Sequence, residues 1–115
     1  MGTMVESIDV GDGLRPPYYA VIFTSELAEG RSGYELMAER MVELAGQQSG
    51  FLGLHSARDG ASGITVSYWE SEEAIASWRA NLEHQAAQEK GRSTWYRSYR
   101  LQVAKVERCY GGGSK

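Results

Sequence analysis

Few side chains in this 115-residue chain can do acid–base chemistry, and the densest group of them lies in WRANLEHQAAQ, Trp78 to Gln88. Within seven residues it sets an indole, an amide and one of only two histidines: Trp78, Asn81 and His84. An imidazole, with an unperturbed pKa of about 6.5, can take up or give a proton near neutrality. An indole can stack on an aromatic ligand while its N–H fixes one point of the ring. Trp78 also has a sufficient structural reason to be there, since it continues an apolar helix stripe with Ala74, Ile75 and Leu82. The role of His84 depends on the backbone. On a straight helix it stands about 120° around from Trp78 and faces solvent. Asn81 is a poor helix former that competes for its own backbone. A break there gives His84, Ala87, Gln88 and Gly91 a new face at helical spacing and turns the imidazole inward.

Other chemistry is thin. His55 falls in a strand pattern, in phase with Phe51 and Gly53, and reads as a hydrogen-bonded strand residue. Cys109 is the single cysteine, so no intramolecular disulfide forms and a reducing compartment fits. Two separated histidines without a cysteine pair supply no ligand set at zinc-type spacing, and no metal site is expected. Arg97 and Arg100 can place a cation near an anionic ligand, and Tyr68, Trp95, Tyr96 and Tyr99 can line a pocket rim or an interface between subunits.

The net charge of −3 opposes nucleic-acid binding, which needs a dominant basic surface. The charge is uneven: Arg79 to Arg108 holds seven Lys or Arg against three Asp or Glu. Solvated basic faces explain this, as does a local field for an anionic ligand or partner. No apolar run approaches the roughly 18 residues that span a bilayer, and Met1–Pro17 lacks the pattern of a signal peptide. A cytoplasmic protein without membrane contact is expected.

The elements that must position these residues are legible as a series. Met1–Pro17, ending in GDGLRPP, reads as a mobile lead-in, and GGGSK as a flexible tail, leaving a domain over residues 18–110. YYAVIFTS, Tyr18–Ser25, is a strand with little polar alternation, hence covered on both faces. Ser32 caps a helix from Gly33 to about Ala45, with Tyr34, Met37, Met41 and Leu44 on one side, and Gly46 stops it. Phe51–Arg58 and Ile64–Trp69 form a hairpin, with DGASG supplying positive φ angles. Ser71 caps the second helix, which starts near Glu72 and ends near Gly91. Tyr99–Tyr110 is a long final strand. The order βαββαβ predicts an α+β, ferredoxin-like antiparallel sheet with both helices on one face. The other face is too apolar for water, so a homodimer packed sheet to sheet is expected.

YYAVIFTS, QQSGFLG, ITVSYWES and WRANLEHQAAQ, in this order of elements, resemble the antibiotic biosynthesis monooxygenase family over about Tyr18 to Tyr110. The resemblance implies a dimeric α+β barrel with a pocket between sheet and helices in each subunit. It implies a monooxygenase that oxygenates an aromatic phenol or quinol with O2 and needs no metal, flavin or other cofactor. A deprotonated, electron-rich ring can itself give an electron to O2, so the protein has only to position it, assist proton transfer and exclude water. By this resemblance Trp78 and His84 are the candidate catalytic residues, with Asn81, Tyr68, Arg97 and Phe23 as candidate substrate-binding residues.

Two other functions stay open. A haem-degrading branch of the superfamily uses an asparagine on the first strand and a histidine ten residues after the tryptophan. Here YYAVIFTS has no asparagine and the tenth position is Gln88, a poor iron ligand. A non-enzymatic dimer binding a small aromatic molecule needs only the pocket. Ala74, one turn before Trp78, stands where some active relatives carry an amide, which favours this simpler function.

Overall fold

The computed structural model describes residues 3–8, 14–27, 42–88 and 96–113. In chain order these form β1 (Thr3–Ile8), β2 (Tyr18–Leu27), the end of α1 (residues 42–46), β3 (Phe51–Asp59), β4 (Ser62–Trp69), α2 (Glu72–Gln88) and β5 (Tyr96–Val106). The five strands make one sheet in the order β1-β3-β4-β2-β5, every neighbouring pair antiparallel. Without β1 it is the four-stranded ferredoxin-like order read from the sequence.

β1 corrects the expectation for Met1–Pro17. TMVESI pairs with β3 from Thr3↔Asp59 to Ile8↔Leu54. The glycines and prolines that dominate this segment's composition all follow the strand, apart from Gly2, so they do not interrupt it. The expected first helix lies mostly outside the described residues, and its last turn ends as 3₁₀-type bonds, Gln47 N–H to Leu44 C=O and Gln48 N–H to Ala45 C=O. Gly46 is therefore not a left-handed cap. The positive φ falls instead at Gly50, +89°, where a side chain would run into Ala74 and Glu70.

The β3–β4 turn is tighter than DGASG suggested. Asp59 pairs with Ser62, leaving Gly60 and Ala61 as a two-residue loop. Only Gly60 has a positive φ, +62°, the arrangement of a II′ turn with glycine first. Gly63 belongs to β4. At the other end of β3 the register shifts between Phe51, paired with Trp69, and Gly53, paired with Tyr68. Leu52 is the extra residue of a bulge, and Gly53 takes φ +151° there.

α2 starts as the sequence predicts. The Ser71 hydroxyl accepts the Ala74 N–H at 3.1 Å, and Glu72 and Glu73 occupy the positive first turn. The helix runs unbroken through Asn81 to Gln88. It packs with the end of α1 on one face of the sheet, where Val21, Ala45, Trp69 and Ile75 form the buried cluster.

Candidate functional site

Because alternate residues share a sheet face, the register fixes what the helices look down on. Nearest the start of β2 lie Tyr19, Trp69 and Phe51, then Val21, Ser67 and Leu54, with Val103 on β5. Further along come Phe23, Thr65, Ser56 and Leu101, and at the turn end Ser25, Gly63, Arg58 and Tyr99. The face changes character along its length. Its first half is aromatic and aliphatic, and its second half carries hydroxyls and a guanidinium.

Trp69 anchors the first half. It is fully buried, donates its Nε1–H to Ser67 Oγ at 2.8 Å, and meets the Phe51 ring edge-on at 5.3 Å. Trp78 lies over it from α2, ring centroids 5.0 Å apart and planes tilted by 32°. The Trp78 ring is half-buried and packs against the core cluster, as its helix register predicts. Its Nε1, however, is buried with no hydrogen-bond acceptor among the described residues. An orphaned donor of this kind costs about 1–3 kcal/mol.

The neighbours of Trp78 differ from the expectation. Asn81 does not break the helix. It is exposed and donates from Nδ2 to Gln48 Oε1 at 3.0 Å, while Gln48 Nε2 donates to the Leu44 carbonyl. The amide thus ties α2 to the loop after α1, and that tertiary partner offsets its weak helix propensity. His84 sits on the continuous helix, and its side chain lies outside the described residues. The unbroken backbone places its position about 120° from Trp78, not on the same face.

Phe23 is half-buried on the helix face and meets the Tyr99 ring at 5.9 Å. Tyr68 is on the opposite face, edge-on to Tyr18 at 6.0 Å and to His55 at 5.8 Å. Strand alternation therefore separates it from Trp78 and Phe23. His55 corrects its own expected phase: the bulge at Leu52 puts it opposite Val66, away from Phe51. Arg97 falls where the β2–β5 register shifts, with Glu26 paired to Ser98 and Leu27 to Tyr96. Its side chain, like the whole of Trp95, lies outside the described residues.

Sequence reasoning missed the turn end. Ser25 is buried and accepts a hydrogen bond from Arg58 Nη2 at 3.0 Å, while Nη1 donates to the Ala61 carbonyl at 2.9 Å. Gly63 lies between Ser25 and Arg58 in the register, and a Cβ there would collide with the guanidinium. Ser56 and Thr65 share a hydrogen bond at 2.9 Å. An open cleft of about 270 Å³ at this end is lined in part by Thr24, Ser25, Ser62, Tyr99 and Arg100. The signal was the alternation of Arg58 with Leu54, visible only once the bulge is placed.

At the start of β2, Tyr18 is buried. Its hydrogen bond with Cys109, followed by burial and the nearby Cys109 and Tyr68 groups, pushes its phenol above the ordinary value of 10.0. No group of three His, Cys, Asp or Glu is placed to hold a metal among the described residues.

The family model described as antibiotic biosynthesis monooxygenase matches residues 17–90. The chain belongs to this family. By sequence the chain is similar to the uncharacterized protein YqjZ of Bacillus subtilis strain 168, 61% identical over 94 residues, covering 81% of this chain and 82% of that one. In structure, the antibiotic biosynthesis monooxygenase fold seen here is similar to SnoaB, a cofactor-independent oxygenase from Streptomyces nogalater, at TM-score 0.66 and 12% identity over 82% of this chain and 97% of that one. It is also similar to a mutant of MhuD with two manganese protoporphyrin IX bound per active site, at TM-score 0.55 and 24% identity over 82% and 99% of the two chains. At such identities the likeness is one of fold.

Proposed function

We propose that this protein is a cofactor-independent monooxygenase that oxygenates an aromatic phenol or quinol with O2, working as a homodimer. The observation that carries this reading is the Trp78 Nε1–H, buried beside the Trp69 ring without an acceptor among the described residues. A phenolate oxygen entering between sheet and helix would accept that N–H and so relieve a cost the free protein bears. The ring would rest on apolar surface, to which Phe23 contributes. There the electron-rich phenolate gives an electron to O2, and the protein's work is orientation and exclusion of water. Family membership and the SnoaB-like fold support the same reaction class.

Asn81 serves this site by holding α2 in place. His84 is the candidate proton acceptor. The opposite face of the sheet, with Ile22, Ile64, Val66 and Tyr68, is the surface a second copy would cover. Light scattering at micromolar concentration is expected to give twice the 12.7 kDa subunit mass, and a monomer would remove the dimer from the proposal.

The deciding assay is oxygen uptake with dihydroxynaphthalenes and anthrones, with anaerobic controls. Uptake above the uncatalysed rate is expected, reduced about tenfold or more by Trp78→Phe, whose stability should change by less than about 1 kcal/mol because the orphaned donor leaves with the indole. Uptake that survives His84→Ala assigns proton removal to the substrate's own ionisation. No uptake across the panel makes the protein a non-enzymatic binder of aromatic molecules, the reading that Ala74, with no polar group one turn before Trp78, favours. A Soret shift on haem titration, lost in His84→Ala, would move the assignment to haem.

A further inference from the structure

Trp78 can offer its N–H at a fixed angle only if α2 is held against turning. Of the side chains described in α2, Ile75 is buried, Ala74 and Trp78 are half-buried, and the others as far as Asn81 are exposed. The start of the helix is well fixed. The Ser71 hydroxyl caps it, the Glu70 N–H donates to the Gly50 carbonyl at 2.9 Å, and Ala74 lies so near Gly50 that a Cβ there would stand 2.7 Å from it. These contacts, with Ile75, all fall at or before the first turn. A helix pinned over one turn can still swing further along, where Trp78 sits.

Gln48, in the loop after α1, supplies the second attachment. Its backbone N–H donates to the Ala45 carbonyl at 3.0 Å, its own carbonyl accepts the Phe51 N–H at 3.3 Å, and its Nε2 donates to the Leu44 carbonyl at 3.3 Å. The side-chain amide is thereby aimed, and its Oε1 accepts from Asn81 Nδ2 at 3.0 Å. Asn81 follows Trp78 by three residues, a neighbour on the same side of the helix. The contacts close into a ring: Gln48 to Asn81, along α2 to Trp78, across to Trp69 at 5.0 Å, on to Phe51 at 5.3 Å, and through the Phe51 N–H back to Gln48. Water competes for both partners of an exposed amide pair, so the bond adds little stability. Asparagine also favours the helix less than alanine does. The distinctive consequence of the Asn81–Gln48 bond is therefore geometric.

We propose that Gln48 is a positioning residue: through Asn81 it sets the rotation of α2, and so the angle at which Trp78 presents its N–H above Trp69. The inference rests on the reading that this N–H meets a ligand oxygen, and it adds to that reading the residue that orients the donor. Gln48 acts through the helix and not by touching the ligand.

The test reads the indole pair directly. Two indoles this close couple, and the exciton couplet they give in circular dichroism depends on their mutual angle; Trp78→Phe should abolish the couplet and so identify it. Gln48→Met keeps the side-chain length without the amide and should shrink the couplet of the folded protein. Gln48→Glu keeps an acceptor for Asn81 and should restore part of it. Asn81→Ala should match Gln48→Met, with the double variant no worse than either. In anaerobic calorimetry Gln48→Met should bind 2-naphthol about threefold or more weakly than the unaltered chain, with naphthalene, which has no oxygen for the N–H, unchanged. A merely stabilising bond would lower Tm and leave the couplet as it was. A couplet that is unchanged in Gln48→Met and Asn81→Ala, one that survives Trp78→Phe, or an equal loss of affinity for the two ligands overturns the proposal. Should Gln48→Met fail to fold, Asn81→Ala decides, because alanine is the better helix residue. A couplet that shrinks in a protein showing neither 2-naphthol binding nor oxygen uptake refutes the oxygenase reading alone, and uptake with an unchanged couplet refutes this inference alone.

Discussion

The two ends of the helix-facing side of the sheet are made of the same four strands and opposite materials. At one end Phe51, Trp69, Tyr19 and Val21 are closed under Ala45, Ile75 and Trp78. At the other, Arg58 bonds to Ser25 and Ala61, and Ser56 to Thr65, on a surface that Tyr99 and Leu101 leave open. A face that carried only core would be apolar throughout. The contrast places the closely packed core at one end and hydrogen-bonded polar side chains at the other, with Trp78 bordering the closed end, its N–H without an acceptor among the described residues.

The sharpest way to break this contrast is to hollow the closed end. Trp69→Ala removes a side chain with no exposed surface and should cost about 3–5 kcal/mol, read as a lower urea midpoint with an unchanged slope. A cost below about 1 kcal/mol would mean the core lies elsewhere. Gly50→Ala probes the seam between α2 and the loop after α1. Its φ of +89° and the 2.7 Å approach a new Cβ would make to Ala74 predict a loss of about 1–3 kcal/mol, measured as a drop in Tm. At the polar end Thr65→Val breaks a single half-buried hydrogen bond and should cost only about 0.5–1.5 kcal/mol. A loss as large as that of Trp69→Ala would erase the distinction.

The smallest effect belongs to Tyr18. Its phenol is held above 10.0, so the folded state keeps the proton more tightly than the unfolded chain does. That contribution is complete below pH 10 and is lost as pH rises through the raised folded value. Cys109→Ala should flatten this alkaline loss, seen in the tyrosine absorbance titration and in unfolding followed with pH.

The order of elements and the Ser71 cap were legible because each rests on local chemistry: alternation, turn residues and a side chain that bonds its own backbone. β1 was hidden by the GDGLRPP that follows it, since six strand residues carry less signal than two prolines and their neighbouring glycines. The candidate site was half legible. Trp78 followed from helix periodicity, and Phe23 from the resemblance with its face fixed by strand alternation. Arg58 did not, because the face of every residue after Leu52 depends on one bulge that only the pairing with β4 reveals. Asn81 misled for a related reason, its tertiary bond to Gln48 overriding its local preference.

β1 also changes which strand forms the margin of the sheet. By pairing with the outer side of β3 it becomes the edge itself, so the sheet ends in β1 on one side and β5 on the other, with β3 inside. The free N–H and C=O groups of an edge strand are a template for pairing with another chain, and short edge strands blunt it. Here a six-residue strand takes the place at the margin that the nine residues of β3 would otherwise hold.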